Sequence, residues 1–174
     1  IFTNNTANSN GQYGIFVYGG AYHNLTNNTA NSNSFTGISL LYTYFNNLIN
    51  NTANNNRAYG LLIDNGFSNN VTSNSFCGNS KTSDFYDIYN INGNGNFGSK
   101  NICDITFNWT ENGNTCTYQC IYPQLTIITE STPPNTLGKY SSHKLKAGGG
   151  NPPYAWSLVN GIIPDGMLLY QDGV

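Results

Sequence analysis

Charge is what this sequence has least of: charged residues make up 8% of its 174 positions, about a third of the usual share in soluble globular domains. Only six are Lys or Arg, two of them close together at Lys144 and Lys146. No basic face exists to neutralise phosphates, which excludes nucleic acid as a partner and removes the basis for a membrane-surface role. No apolar run approaches the roughly 18 to 20 residues that cross a bilayer, so this segment is not expected to insert into one. No charged-then-apolar leader opens the chain, which starts inside a pattern that recurs later, so a signal segment is expected to belong to upstream sequence. Methionine occurs once, at Met167, and the two histidines, His23 and His143, fall in different halves of the chain. Copper and zinc therefore lack a ligand set, and no cofactor or metal is expected. The glycine runs carry no Lys-Ser/Thr pair for phosphate, and neither Ser/His/Asp nor Cys/His catalysis finds its constellation.

What replaces charge is Asn, with Thr, Ser, Gly and Tyr, and it is periodic. Asn4-Asn5-Thr6-Ala7-Asn8-Ser9-Asn10 returns as Asn27-Asn28-Thr29-Ala30-Asn31-Ser32-Asn33 and again as Asn50-Asn51-Thr52-Ala53-Asn54-Asn55-Asn56, each start 23 residues after the last. Gly14-Ile15, Gly37-Ile38 and Gly60-Leu61 keep the same register, as do Val17, Leu40 and Ile63, and the lead-ins Asn24-Leu25, Asn47-Leu48 and Asn70-Val71. Such a period is too short for two helices and a turn, and Asn, Thr and β-branched residues disfavour helix. Within each repeat the apolar residues alternate, which reads as short strands between Asn/Gly corners.

If each coil is one repeat, residue i lies on residue i+23 at the roughly 4.8 Å spacing of parallel strands. Inside columns are then Phe2/Leu25/Leu48/Val71, Ala7/Ala30/Ala53, Ile15/Ile38/Leu61 and Val17/Leu40/Ile63. Asn is a poor strand former, but at corners it tolerates left-handed backbone, and its amide both donates and accepts. Asn5/Asn28/Asn51/Asn74 and Asn10/Asn33/Asn56/Asn79 are expected to form side-chain ladders. The spacing lengthens after Asn70, the next comparable lead-in being Asn101-Ile102, which places an inserted loop at Asn90–Gly98. Residues 101–122 then close the stack as a terminal cap.

The Asn-Asn-Thr-Ala-x-x-Asn and Gly-Ile-x-Leu repeats resemble those of right-handed parallel β-helix proteins of archaeal and bacterial cell surfaces. The same superfold includes pectin lyase-like enzymes and a periplasmic protein linked to copper delivery, so the resemblance implies fold and leaves activity open. The stretch from Asn101-Ile102-Cys103-Asp104 through Asn108-Trp109 to Cys116-Thr117-Tyr118-Gln119-Cys120 is similar to the endings of archaeal members. Beyond it, Leu125-Thr126-Ile127-Ile128 reads as a strand, and short apolar segments separated by Pro/Gly corners imply a β-sandwich. Gly149-Gly150-Asn151-Pro152-Pro153-Tyr154-Ala155-Trp156-Ser157 followed by Pro164-Asp165-Gly166-Met167-Leu168-Leu169 is similar to an immunoglobulin-like repeat of prokaryotic surface proteins. Family members continue past the equivalent of Val174, so this sandwich is expected to be incomplete, because some 50 residues are too few to close one alone. The fold expected is all-β: a parallel β-helix of about five coils over residues 1–122, then an incomplete immunoglobulin-like β-sandwich over 123–174.

Four cysteines, Cys77, Cys103, Cys116 and Cys120, are even in number with no Cys-x-x-Cys pair, and Asn-x-Ser/Thr triplets are abundant; an oxidising exterior fits both. Of three connectivities we favour Cys77 with Cys103 and Cys116 with Cys120. The N-glycosylation acceptors are Asn4, Asn24, Asn27, Asn50, Asn70 and Asn108. Uronic-acid chemistry would need clustered carboxylates or a Ca²⁺ site beside a base. The acids in the β-helix are Asp64, Asp84, Asp87, Asp104 and Glu111, and its bases Arg57, Lys81 and Lys100. Only Asp64 over Asp87 makes a candidate cation site, and two solvated corner carboxylates describe that pair better. Outward aromatics at Phe16, Tyr18, Tyr22, Tyr42, Tyr44, Phe45, Tyr59 and Phe67 fit a sugar-binding stripe, a protein interface, or plain stacking along a sheet face. Of the functional readings the interface is preferred.

The sequence thus reads as a non-catalytic extracellular cell-surface protein: a self-assembling subunit of a surface layer, sheath, filament or adhesin, with archaeal resemblance. Its expected partners are copies of itself or other surface proteins, with glycans besides. The alternative is a carbohydrate-binding or carbohydrate-modifying β-helix acting on extracellular polysaccharide, and metal delivery ranks third.

Overall fold

The computed structural model describes residues 1–79, 85–122, 124–128, 142–149, 154–163 and 167–170, and the chain divides into two compact units, Ile1–Cys120 and Ile121–Val174. Every described element is a β-strand. In the first unit β1 (Phe2–Thr3), β3 (Asn24–Thr26), β5 (Asn47–Ile49), β7 (Asn70–Thr72) and β9 (Phe97–Ser99) form one parallel sheet. A second is built from β2 (Ile15–Tyr18), β4 (Thr36–Leu41), β6 (Tyr59–Asp64), β8 (Ile88–Ile91) and β10 (Thr106–Phe107). Registers are those the repeat demands: Leu25 lies opposite Leu48, Ile38 opposite Leu61, and Leu40 opposite Ile63. The chain is a parallel β-helix.

Like residues meeting like on successive rungs produce the core. Leu25, Leu48, Val71, Ile38, Leu61, Ile88, Leu40 and Ile63 are all fully buried, each such side chain contributing roughly 1.5 to 3 kcal/mol. The Ala30/Ala53 column continues through Phe76 to Cys103, all fully buried. At the first coil the columns open out, and Phe2 is exposed rather than inside.

The corners are written in the backbone. Four columns of residues take positive φ: Asn4/Asn27/Asn50/Ser73/Lys100, Ser9/Ser32/Asn55/Gly78, Gly19/Tyr42/Asn65/Asn92 and Tyr22/Phe45/Ser68/Gly95. Each column turns the chain at one corner of every coil. A turn points backbone groups away from the neighbouring rung, and at three corners an inward Asn amide replaces the lost pairing. Asn51 is representative: its Oδ1 accepts the backbone N–H of Asn28 at 2.9 Å and the Nδ2 of Asn28 at 2.9 Å, while its Nδ2 donates to Leu25 O at 2.8 Å and Asn74 Oδ1 at 3.0 Å. The expected ladders are present along Asn5/Asn28/Asn51/Asn74 and Asn10/Asn33/Asn56/Asn79. A third, unanticipated, runs through Asn46, Asn69 and Asn96. The fourth corner holds Thr43, Gly66 and Gly93 instead, and the buried Thr43 hydroxyl has no partner among the described residues.

Glycine precedes the aliphatic residue in each repeat because the ladder lies against it. A Cβ on Gly37 would come within 2.6 Å of Asn56 Nδ2 and 2.6 Å of Ala53 Cβ, closer than any real contact. Asn ladder and Gly column are one packing unit.

Two expectations need correction. The register shifts from 23 to 27 residues between Asn79, still held to Asn56, and Ile88, which pairs with Leu61. The insertion therefore enters between Asn79 and Asp87, not at Asn90–Gly98, and Phe97-Gly98, rather than Asn101-Ile102, is the next lead-in. Asn101 instead extends the first ladder from Asn74. The disulfides join Cys77 to Cys120 and Cys103 to Cys116, with Cα separations of 5.7 and 5.6 Å, not the favoured pairs. The reason is the shifted register: Cys103 continues the inward column below Phe76, whereas Cys77, one residue on from Phe76, faces the other side. The actual pairs close loops of 43 and 13 residues and tie the last coils together.

In the second unit β11 (Thr126–Ile127), within the expected strand, pairs antiparallel with β12 (Ala147–Gly148). Of the immunoglobulin-like motif, Gly150–Pro153 and Pro164–Gly166 lie outside the described residues, as do residues 171–174 of the chain.

If the ladders satisfy the corners, Asn51→Ala should cost about 3 kcal/mol or more in denaturant-unfolding stability, because it strands buried donors and acceptors on both neighbouring coils. Thr43→Val should gain about 1 kcal/mol by removing an unpaired buried hydroxyl.

Candidate functional site

On the second sheet, alternation sends Ile15 and Val17 inward and Phe16 and Tyr18 outward, 46% and 68% exposed. Rings then touch in an unbroken path. Tyr42 meets Tyr18 edge-on at 5.9 Å, Tyr18 lies 6.4 Å from Phe16, and Phe16 lies 4.9 Å from Tyr13. Tyr13 packs on Phe35, Phe35 on Tyr59 and Phe85, and Tyr59 stacks on Tyr89 at 4.9 Å. Tyr89 in turn touches Tyr86 and Phe107. The path runs from the coil of β2 to that of β10.

Of the expected interface residues, Phe16, Tyr18, Tyr42 and Tyr59 belong to this path. The other four form two separate stacks, Tyr22 on Phe45 at 5.4 Å and Tyr44 on Phe67 at 5.7 Å, both with ring planes 10° apart. Tyr13, Phe35, Phe85, Tyr86, Tyr89 and Phe107 escaped the sequence reading. Phe85 and Tyr86 lie within the segment that carries the insertion and Tyr89 and Phe107 beyond it, so a constant 23-residue step does not bring them onto the face. Tyr13 and Phe35 lie at different offsets and meet only edge-on.

The six acceptor triplets fall in three settings. Asn4, Asn27 and Asn50 share one positive-φ corner and are exposed; Asn108, also at positive φ, is exposed near the end of the stack. Asn24 and Asn70 lie instead in strands β3 and β7.

Three of the four described acids of the first unit, Asp87, Asp104 and Glu111, sit at the closing end. Within the three inward ladders each Asn amide donates to the next Asn toward higher residue numbers, so each of these ladders ends on an unmatched N–H donor. Two carboxylates receive them. Asp87 Oδ1 accepts Asn79 Nδ2 at 3.0 Å and Asn79 N at 3.2 Å, and its Oδ2 accepts the backbone N–H groups of Asp104 and Ile105 at 2.9 and 3.3 Å. Glu111 accepts the Asn101 side-chain amide, Trp109 Nε1 at 3.3 Å, and the Thr117 hydroxyl and N–H at 2.6 and 2.9 Å. The third ladder ends on a neutral group, Asn96 Nδ2 reaching Asn90 Oδ1 at 3.0 Å. Trp109, 4% exposed, closes the apolar core above Gly98, where a Cβ would lie 2.4 Å from its ring. Burial pushes the Asp87 carboxyl up to about 6 from an ordinary 3.8, and the four hydrogen bonds only partly oppose this.

These caps were not legible as such. Asp87 is 2% exposed, not a solvated corner carboxylate, and it lies beside Gly60 while Asp64 pairs with Ile91, so the candidate Asp64/Asp87 cation site does not form. Asp87 does approach Asp104 and Cys120, but the Cys120 sulfur is bonded to Cys77, leaving two carboxylates. Lys81 and Asp84 lie outside the described residues. A shallow cleft of about 270 Å³, lined by neutral amides including Asn90, Asn94, Asn96 and Asn108, opens beside Trp109.

A family model described as "right handed beta helix region" matches residues 1–108, and the chain belongs to that family. Such regions are found in surface proteins and in polysaccharide-related proteins. No curated protein and no solved structure matches the chain. No helix of the described residues is long and apolar enough to cross a membrane. Two disulfides are compatible with an extracellular protein.

A raised carboxyl favours the folded state in its protonated form. The stability it contributes is complete below 3.8 and is lost as pH rises through about 6. Denaturant unfolding at pH 4 and pH 7 should therefore show wild type losing about 2 kcal/mol relative to Asp87→Asn over that interval.

Proposed function

We propose that this chain is a non-catalytic extracellular structural protein that assembles through its aromatic sheet face into a surface layer, sheath or filament. The observation that carries the reading is the continuous ring path on the second sheet, weakly charged and reaching from its first strand to its last. Tyr and Phe with few charges are the composition that interfaces favour. The stacked coils supply a stiff rod. A non-catalytic role is supported by the way the described acids are occupied: Asp87 and Glu111 cap ladders, Asp104 accepts the Cys120 N–H at 2.9 Å, and Asp64 accepts an Asn65 amide at 2.8 Å. The second unit is read as part of an immunoglobulin-like module of a surface protein, supported by the β11/β12 antiparallel pair and the Pro/Tyr/Trp motif.

Polysaccharide binding is the second reading, favoured by the neutral amide cleft beside Asn108 and by exposed stacked rings such as Tyr22, 75% exposed. Sedimentation and electron microscopy separate the two. Assembly predicts large particles or filaments that form above a critical concentration, which Tyr18→Ser/Tyr42→Ser raises about tenfold or more with folding unchanged. A wild-type protein that stays monomeric at every concentration, yet changes its tyrosine fluorescence on titration with acidic polysaccharide, would replace assembly with glycan binding.

A further inference from the structure

We propose that the corner formed by Asn4, Asn27 and Asn50 is a row of N-glycosylation sites on the folded protein, with Asn108 as a fourth, and that strand backbone and side-chain hydrogen bonds hold the acceptor triplets at Asn24 and Asn70 out of reaction. The sugar donor is a lipid diphosphate-linked oligosaccharide. In the transfer, the Asn Nδ2 bonds to the anomeric carbon and the anomeric C–O bond to the diphosphate breaks. The lipid diphosphate leaves with the electron pair, and one amide proton passes to a base of the transferase.

Three observations separate the corner from the strands. First, Asn4, Asn27 and Asn50 share the same left-handed backbone, with φ of 57°, 56° and 55°, whereas Asn24 and Asn70 have extended strand backbone; the corner side chains are exposed, as is that of Asn24. Their neighbours Asn5, Asn28 and Asn51 carry the buried ladder, so the structural amide work at this corner is done one residue away. Second, the hydroxyl-bearing member of each triplet, Thr6, Thr29 or Thr52, lies in a column of isolated bridges outside the two main sheets, whereas Thr26 and Thr72 lie within β3 and β7. Third, the strand triplets are engaged. Asn70 Nδ2 donates to Asn47 Oδ1 at 3.3 Å, and Asn70 Oδ1 accepts the hydroxyl of its own Thr72 at 2.8 Å, so both groups a transferase must grip are occupied. Asn24 lies in β3 between β1 and β5, and its Oδ1 accepts Asn47 Nδ2 at 3.0 Å. Asn108 resembles the corner: its side chain is exposed, its backbone is left-handed with φ of 49°, and among the described residues its hydrogen bond is through the main-chain carbonyl, to Asn90 Nδ2.

Parallel rungs set these acceptors at roughly 4.8 Å intervals. Sugars added there would project as one row from the corner that follows the first sheet, leaving the aromatic face of the second sheet bare. The inference does not depend on assembly.

The test treats the folded, disulfide-intact protein, and separately the reduced and unfolded chain, with a purified single-subunit oligosaccharyltransferase and dolichyl diphosphate-linked chitobiose. Tandem mass spectrometry then locates the adducts. The unfolded chain should be modified at all six triplets, and the folded protein at Asn4, Asn27, Asn50 and Asn108, with Asn24 and Asn70 at least tenfold lower. Thr29→Ala should remove the adduct at Asn27 alone. Equal modification of Asn70 or Asn24 in the folded protein, or none at the corner when the unfolded chain is modified throughout, would overturn it.

Discussion

A β-helix must turn several times in every coil, and each turn rotates backbone N–H and C=O groups out of line with the rungs on either side. Burying those groups unpaired would cost more than the few kcal/mol by which domains are usually stable. Here the shortfall is met by inward Asn side chains. Asn51 uses its carbonyl to accept from the coil before and its amide to reach both that coil and the next. Aliphatic columns provide most of the favourable energy, but they tolerate small displacements. The amides do not, because a rung out of place breaks several bonds at once. Asn therefore specifies the register that Leu, Ile and Val stabilise.

The amide ladders also give the rod a direction. The three inward ladders all pass their Asn-to-Asn bonds toward the C-terminal end, and aligned amides in a poorly solvated interior strengthen one another. The end they point to carries an excess of donors, which Asp87 and Glu111 accept. Trp109 and the two disulfides lie at the same end, so polar satisfaction, apolar closure and covalent restraint coincide there. Asp87 holds its place against the desolvation of its charge, and this end consequently responds to pH.

With hydrogen-bonding demands met inside, the outer faces are free to differ. One sheet presents aromatics in contact along its whole width, and a corner of the other presents exposed amides in a row. Segregating rings from sugars on a rod with so few charges would keep it hydrated on one side and adhesive on another. Right-handed β-helices place any such division along the long axis, because a column is a single position of the repeat.

How much of this was readable beforehand follows from the repeat itself. A constant 23-residue step, with Asn, Gly and aliphatic residues in register, determined the solenoid, its inner columns, two of the three amide ladders and the Tyr22/Phe45 and Tyr44/Phe67 stacks, because in a parallel stack sequence offset becomes spatial neighbourhood. The Asn46/Asn69 ladder was hidden by being the first residue of its Asn-Asn pair rather than the second. What only the tertiary structure decided lies beyond Asn79, where four extra residues change the offset. From there Asp87, Glu111, the cysteine partners and the rings of Phe85, Tyr86, Tyr89 and Phe107 take positions that no fixed step reaches. Those contacts depend on which way a side chain faces after the shift, and facing is settled by packing against the coil beneath.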